Sequence, residues 1–109
     1  MLTLSALGLA MSNLATLYSG HGRHQDALAM HEKALELRRH LLPVNHPDNG
    51  AACMNAGVSY LASGDLLRAL EFVREALRIF QATLPPSHPY VQRAQLLLRS
   101  YEGDAARRL

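Results

Sequence analysis

The stretch Asn13-Leu-Ala-Thr-Leu-Tyr18 recurs 42 residues later as Asn55-Ala-Gly-Val-Ser-Tyr60, and the turn Leu-Pro-x-x-His-Pro at 42–47 returns at 84–89. Eleven positions between residues 13 and 47 are identical at this offset. They include glycine, proline, tyrosine and histidine, so composition alone does not explain the match. A fixed period of this size is typical of stacked structural units, each of which buries its apolar face against a neighbour.

The spacing of apolar residues predicts an all-α chain. Glycines suit the turns that end helices, and Pro47 and Pro89 suit the first position of a helix, where a missing N–H costs little. We expect one repeat domain over residues 1–103, built from two full helical hairpins and a terminal helix, and a C-terminal tail over 104–109. The five predicted helices cover about residues 3–20, 24–41, 47–62, 66–83 and 89–103.

The bulk composition argues against several classes of partner. The formal net charge is only +2, which is too small to indicate a nucleic-acid partner. The bases are ten arginines and Lys33, which suit an acidic peptide but reflect codon usage and solvated helix faces more simply. No apolar stretch is long enough to span a membrane, and the first twenty residues lack the basic start of a signal peptide. With Cys53 as the single cysteine, these features predict a cytoplasmic protein.

The repeat resembles the tetratricopeptide repeat, whose pattern is W-x2-L-G-x2-Y followed by A-x3-F. The period is longer than the usual length of about 34 residues. Its long second helix and its Leu-Pro-x-x-His-Pro turn are similar to the repeats of kinesin light chains, and equally to repeat arrays attached to some nucleotide-binding signalling proteins. The first unit reads Met11-x2-Leu14-Ala15-x2-Tyr18 and Ala27-x3-His31, and the second reads Cys53-x2-Ala56-Gly57-x2-Tyr60 and Ala69-x3-Val73.

This resemblance implies that the first helix of each pair lines a concave groove that holds a partner peptide. Asn13 and Asn55 are equivalent across the repeat, and an asparagine offers both a donor and an acceptor to a peptide backbone. The alternative is that these asparagines bond to the next helix. A clamp for a C-terminal carboxylate is not expected, because most of its basic residues are missing. The predicted peptide-binding residues are Asn13, Asn55, Ser12, Thr16, Met54, Arg93 and Leu97.

No catalytic, metal or cofactor site is predicted. The six histidines form no His-x3-His pair and have no cysteine near them to complete a zinc site. His31 is expected to be packed inward, and His46 and His88 are expected to form the turns before the helix-starting prolines. Cys53 stands at an inward position, where a thiol is usually inert. The sequence contains no P-loop, dinucleotide fingerprint or nucleophile elbow.

The sequence therefore predicts a non-catalytic module that binds a protein or peptide partner in its groove. The alternative is a structural element, either a fragment of a longer solenoid or a unit that associates with itself. Apolar residues in the two terminal helices favour that alternative, because the outer face of a terminal repeat is usually polar. They are Leu2, Leu4, Leu7 and Leu9 in the first helix and Leu96, Leu97 and Leu98 in the last.

Overall fold

The computed structural model describes residues 23–41 and 45–108, and this part of the chain contains helices and no strands. The all-α prediction is confirmed, and three of the predicted helices have the expected bounds. The first predicted helix, residues 3–20, lies outside the described residues. The four described helices are α1 His24–Leu41, α2 Pro47–Ala62, α3 Leu66–Thr83 and α4 Pro89–Arg107.

The helix starts are built by the repeated turn. His46 precedes Pro47 and accepts a hydrogen bond on its Nδ1 from the backbone N–H of Asp48, at 3.1 Å. His88 precedes Pro89 and accepts an equivalent bond from the N–H of Tyr90, also at 3.1 Å. Such a side-chain acceptor satisfies one of the N–H groups that a helix leaves unpaired at its N-terminus. The prediction that both histidines serve the turns is confirmed.

The turn between α2 and α3 depends on Gly64 and Asp65. Gly64 has φ +91°, a conformation that only glycine adopts without strain. Asp65 then caps α3 by accepting a hydrogen bond from the N–H of Arg68 at 3.1 Å. The three residues between Ala62 and Leu66 form a tight turn, which lets α3 fold back along α2 as a helical hairpin.

Two glycines on α2 let the hairpin close tightly. A Cβ atom at Gly50 would lie 2.5 Å from the ring of Phe80, and one at Gly57 would lie 2.8 Å from a methyl group of Val73. Both distances are too short for real carbon contacts, so the two helices approach as closely as glycine permits. This is the close packing of small against large residues that an interlocking pair of helices requires.

Two hydrophobic clusters form the core of the described residues. The first joins α2 and α3 to the start of α4 and to Leu35 of α1, and the second joins α2 and α3 to the end of α4. Neither is confined to one hairpin, so each unit is completed by its neighbour, as the period predicts. The members of the first are Leu35, Ala52, Cys53, Ala56, Ala76, Ile79, Phe80, Val91 and Ala94, and those of the second are Tyr60, Leu66, Ala69, Leu70, Val73 and Tyr101.

Helix α4 extends further than the sequence predicts. It does not fade at Gly103 but continues to Arg107. The reason is tertiary: Tyr101 is almost completely buried in the second cluster, and Ala105 packs against the same cluster. The last turns of α4 therefore have a hydrophobic surface to rest on, which local sequence alone does not reveal.

A polar link joins each unit to the next at equivalent positions. The hydroxyl of Tyr60 donates a hydrogen bond to Glu32 Oε1 at 3.0 Å, connecting α2 to α1. At the positions 42 residues later in the chain, Arg74 of α3 forms an ion pair with Glu102 of α4 at 3.6 Å. The residue types differ, but the register is the same, so the 42-residue period governs polar as well as apolar contacts.

Candidate functional site

The candidate site is the pair of helix faces on α2 and α4 that the hairpin packing leaves open. On α2, the glycines and Tyr60 face inward, whereas Asn55 and Val58 are exposed. On α4, Val91, Ala94 and Tyr101 face inward, and the opposite face is exposed. The two open faces correspond residue by residue at the 42-residue offset, as Ala51 with Arg93, Met54 with Leu96, Asn55 with Leu97, and Val58 with Ser100.

Asn55 is the best placed of the predicted peptide-binding residues. Its side chain is exposed in the middle of α2, and it has no hydrogen-bond partner in the described structure. The alternative expectation, in which this asparagine bonds to the next helix, is therefore not what the structure shows among residues 23–41 and 45–108. A free amide on a rigid helix can both donate to and accept from an extended backbone.

Arg93 is also exposed, and it differs from most of the described arginines in having no carboxylate partner there. An unpaired guanidinium can bind an incoming carboxylate without first breaking an existing ion pair. The arginine side chains that are paired, all of them largely exposed, belong to the ion pairs Arg23–Asp26, Arg68–Asp65, Arg74–Glu102, Arg78–Glu75 and Arg107–Asp104.

Met54 and Leu97, which are predicted to be apolar contacts for a peptide, lie between the open faces and the core. Both are only half-exposed: Met54 packs against the first hydrophobic cluster and Leu97 against the second. Each of them therefore has one side packed on the core and one side exposed at the open face. The freely exposed apolar side chains of the two faces are Val58, which is 46% exposed, and Leu96, which is 65% exposed. Sequence periodicity did not separate half-buried from exposed positions. Val58 lies about one helical turn from Met54, and Leu96 is adjacent to Leu97.

Three predicted site residues, Ser12, Asn13 and Thr16, lie outside the described residues. The predicted polar site residues that the structure describes are Asn55 in the second unit and Arg93 in the third, each with apolar side chains beside it.

Two cavities lie away from these faces. One, of about 480 Å³, lies between α1 and the turn that joins α2 to α3, and Glu32, Tyr60 and Arg68 are among its lining residues. Burial raises the pKa of Tyr60, and the hydrogen bond to Glu32 adds to that increase. The other, of about 670 Å³, is more apolar and is bordered by Leu67 and Ala105. Neither contains a predicted site residue.

The environment of His31 perturbs this side chain strongly. It is only 2% exposed, and within residues 23–41 and 45–108 neither of its ring nitrogens has a hydrogen-bond partner. Burial lowers its pKa to about 4, because the charged form would lose its hydration without gaining a partner. The prediction that His31 is packed inward is confirmed. The described residues contain no group of three or more His, Cys, Asp or Glu side chains arranged to hold a metal ion.

The pattern of small and large residues, the hairpin and the open faces all define a helical repeat protein. A family model described as tetratricopeptide repeat matches residues 6–82, and the chain belongs to that family. This confirms the resemblance seen in the sequence. Tetratricopeptide repeats generally mediate protein–protein interactions, and the family is generally not catalytic.

Among solved structures, the chain is similar to a Podosopora anserina protein assigned as a kinesin light chain, which has nearly identical TPR-like repeats. The two chains share 26% sequence identity with a TM-score of 0.84, over 97% of this chain and 50% of that one. A single-substitution variant of the same protein gives the same values. The chain thus spans half the length of the solved structures it matches. No curated protein is similar enough to match it. None of the described helices is long and apolar enough to cross a membrane.

Proposed function

We propose that this chain is a non-catalytic module that binds a short extended segment of a partner protein along the open faces of α2 and α4. The observation that carries the proposal is the exposed amide of Asn55 on α2 together with the exposed guanidinium of Arg93 on α4, neither of which has a polar partner among the described residues. Polar groups of this kind on a rigid helical scaffold are what a peptide backbone and its charged ends require for recognition.

The apolar residues beside them fit the same proposal. Val58 and Leu96 are exposed although both are large and hydrophobic. Met54 and Leu97 lie beneath, packed on the two core clusters, so a bound side chain would rest on a surface that is already ordered. A preorganised surface lowers the entropic cost of binding. Asn13, Ser12 and Thr16 would extend the site into the first unit.

Selection from a random peptide library tests the proposal. The folded chain is expected to enrich a consensus peptide. The double variant Asn13→Ala/Asn55→Ala is expected to retain it poorly, with about a two- to tenfold loss of affinity for each hydrogen-bonding amide removed. Arg93→Ala is paired with Arg99→Ala as a control, because both arginines are exposed and unpaired on α4 but only Arg93 lies on the open face. No enrichment from folded protein, or equal losses for Arg93→Ala and Arg99→Ala, would count against the proposal.

The exposed side of α4 gives little support to the alternative in which a further helix packs on it in an assembly. In α2, the residues that contact α3 include Gly50, Cys53, Gly57 and Tyr60. The equivalent positions on α4 are Gln92, Gln95, Arg99 and Glu102, all polar and exposed. A helix packed there would bury polar side chains without the small residues that allow close approach.

The experiment that separates the two alternatives introduces a charge at an exposed apolar residue rather than at Leu97. Because Leu97 packs on the second cluster, a charge there would destabilise the fold and not only an assembly. Leu67 and Leu96 are exposed by 73% and 65%, so Leu67→Glu and Leu96→Glu leave the core intact. Self-association that is concentration-dependent in light scattering and reduced by either variant would support assembly. A mass that is independent of concentration would favour the peptide-binding module.

A further inference from the structure

The cavity of about 480 Å³ beside α1, hereafter the Glu32 cavity, is separate from the open faces. Its lining comes from α1, from the end of α2 and from the start of α3, so it lies where one unit meets the next. The charged side chains in that lining are two carboxylates, Glu32 and Asp65, and one guanidinium, Arg68, which leaves one net negative charge. A cavity of this size is large enough for a small ligand or a single side chain.

Glu32 is the carboxylate of this lining that has no cationic partner among the described residues. Asp65 is paired with Arg68, because its Oδ2 lies 3.6 Å from the guanidinium Nε. Glu32 forms no ion pair in residues 23–41 and 45–108, and it accepts a hydrogen bond on Oε1 from the hydroxyl of Tyr60 at 3.0 Å. A neutral donor leaves the charge itself uncompensated, so a cation that reaches Oε2 gains a charge-assisted hydrogen bond.

The equivalent positions one period later show what this register accommodates. Glu32 corresponds to Arg74 and Tyr60 corresponds to Glu102, and Arg74 and Glu102 form an ion pair at 3.6 Å. At those positions the chain supplies both the cation and the anion. At the Glu32 cavity the same register supplies a carboxylate and a neutral phenol. The comparison within one chain therefore indicates a position where a cation is accommodated beside Glu32.

The hydrogen bond from Tyr60 decides which kind of cation fits. A guanidinium binds a carboxylate best through both oxygens, whereas an ammonium group is a point charge that can bind through one. Since Tyr60 already donates to Oε1 of Glu32, Oε2 is the oxygen left for a ligand. Burial raises the pKa of Tyr60 and the bond to Glu32 adds to that increase, so the hydroxyl stays protonated at neutral pH and keeps Oε1 engaged. The site therefore favours an ammonium group.

The neutral residues of the lining suit an aliphatic stem that carries such a group. Leu28 and Ala29 both line the cavity and lie about one helical turn before Glu32 on α1. Leu28 also packs against the second cluster, which fixes its position. The hydroxyl of Ser63 donates to the carbonyl oxygen of Tyr60 at 2.8 Å, so the Ser63 oxygen can still accept. A stem on apolar side chains with its ammonium at a polar edge is the usual arrangement of a lysine on a protein surface.

We propose that the Glu32 cavity binds an alkylammonium group, with Glu32 Oε2 as its counter-ion, Ser63 as a second acceptor, and Leu28 and Ala29 against the stem. Two sources carry this group: a lysine side chain of a partner protein and a free aliphatic amine. The cavity shares no residue with the open faces of α2 and α4, so this binding and the proposed peptide binding can fail separately.

The test titrates the ¹⁵N-labelled full chain by NMR at low ionic strength with Nα-acetyl-lysine N-methylamide and, separately, with n-pentylamine. Binding in the millimolar range is expected, with amide shifts confined to residues 28–32 and 60–65. The same capped probe with the uncharged norleucine side chain is expected not to bind, and equal binding of the two would overturn the proposal. Tighter binding of the capped lysine than of pentylamine assigns the site to a partner's lysine, and the reverse order assigns it to a free amine.

Two glutamate variants show whether the carboxylate is the counter-ion. Glu32→Gln is matched with Glu36→Gln, because both residues are exposed on α1 but only Glu32 lines the cavity. Glu32→Gln is expected to weaken binding of the capped lysine about tenfold, the loss typical of a hydrogen bond to a charged group. Glu36→Gln removes the same charge and is expected to weaken it less than about twofold. Unchanged binding in Glu32→Gln, or equal losses in the two variants, would refute the site.

Tyr60→Phe tests the preference for ammonium over guanidinium. The variant frees Oε1 of Glu32 and keeps the aromatic ring, which stacks on Phe72 with the ring centres 5.2 Å apart. The wild type is expected to bind the capped lysine about threefold more tightly than the equivalent capped arginine, and Tyr60→Phe is expected to remove this preference, because both oxygens become available to a guanidinium. A preference that survives in Tyr60→Phe would contradict the assignment to an ammonium group.

Discussion

Replacing His31 by leucine should stabilise the protein and remove part of its sensitivity to acid. The imidazole is 2% exposed, and its two ring nitrogens have no hydrogen-bond partners in the part of the chain that the structure describes. A buried polar group without a partner costs about 1–3 kcal/mol relative to an apolar group of similar shape. Leucine is close to histidine in volume and avoids the overpacking that the larger phenylalanine of the family pattern risks. At pH 7.5 we therefore expect His31→Leu to raise the free energy of unfolding by about 1–2 kcal/mol.

The dependence on pH has a definite sign. Burial lowers the pKa of His31 from its usual value of 6.5 to about 4, so the unfolded chain binds a proton before the folded chain does. The wild type thus has its full stability above pH 6.5 and loses stability as the pH falls towards 4. Linkage gives a loss of about 2 kcal/mol at pH 5 and about 3 kcal/mol at pH 4 from this residue alone. The leucine variant has no such loss.

Urea unfolding followed by circular dichroism at pH 7.5, 6, 5 and 4 measures both effects. The quantity to compare is the difference in unfolding free energy between His31→Leu and wild type, because other titrating groups cancel in it. We expect this difference to grow by about 3 kcal/mol between pH 7.5 and pH 4. A difference that stays constant over this range would show that His31 is solvated or paired, and would refute the reasoning.

Three glycine substitutions test the packing and the turn. Gly57→Ala should destabilise the protein by about 1–3 kcal/mol, because the new Cβ would lie 2.8 Å from Val73; a neutral result in urea unfolding would contradict the close approach of α2 and α3. Gly64→Ala should cost about 1–2 kcal/mol because φ is +91° there, although the space around it is open. Gly103→Ala is the opposite case: it lies inside α4 with no neighbour nearer than 3.6 Å, so it should stabilise by about 0.5–1 kcal/mol, and a loss would mean that α4 ends earlier.

Much of the fold could be predicted from the sequence because its signals are local and repeated. The bounds of α1, α2 and α3 follow from apolar spacing and from turn residues such as Pro47 and Gly64, which act through their own backbone preferences. The inward position of His31 also follows from the repeat register. Its lack of hydrogen-bond partners does not, because that depends on what surrounds it in three dimensions.

The end of α4 and the candidate site were harder to predict for the same reason. The helix passes Gly103 because Tyr101 has a cluster to pack on, which is a tertiary effect. Periodicity predicts that Asn55 and Arg93 line a groove, and both side chains are exposed, but periodicity could not show that Leu97 packs on the second cluster. The Tyr60–Glu32 and Arg74–Glu102 links were missed because different residue types occupy equivalent positions, and only the shared register could have revealed them.

Mapping a library-selected peptide on the ¹⁵N-labelled chain by NMR tests the central claim most directly. If the open faces bind it, the amide signals that shift should be those around Asn55 and Val58 on α2 and around Arg93 and Leu96 on α4. Signals around Arg99 and Glu102, on the other exposed side of α4, should stay in place. Shifts concentrated at Leu67 and Ala105, or on the outer side around Glu32 and Arg68, would contradict the account and place the binding surface elsewhere on the repeat.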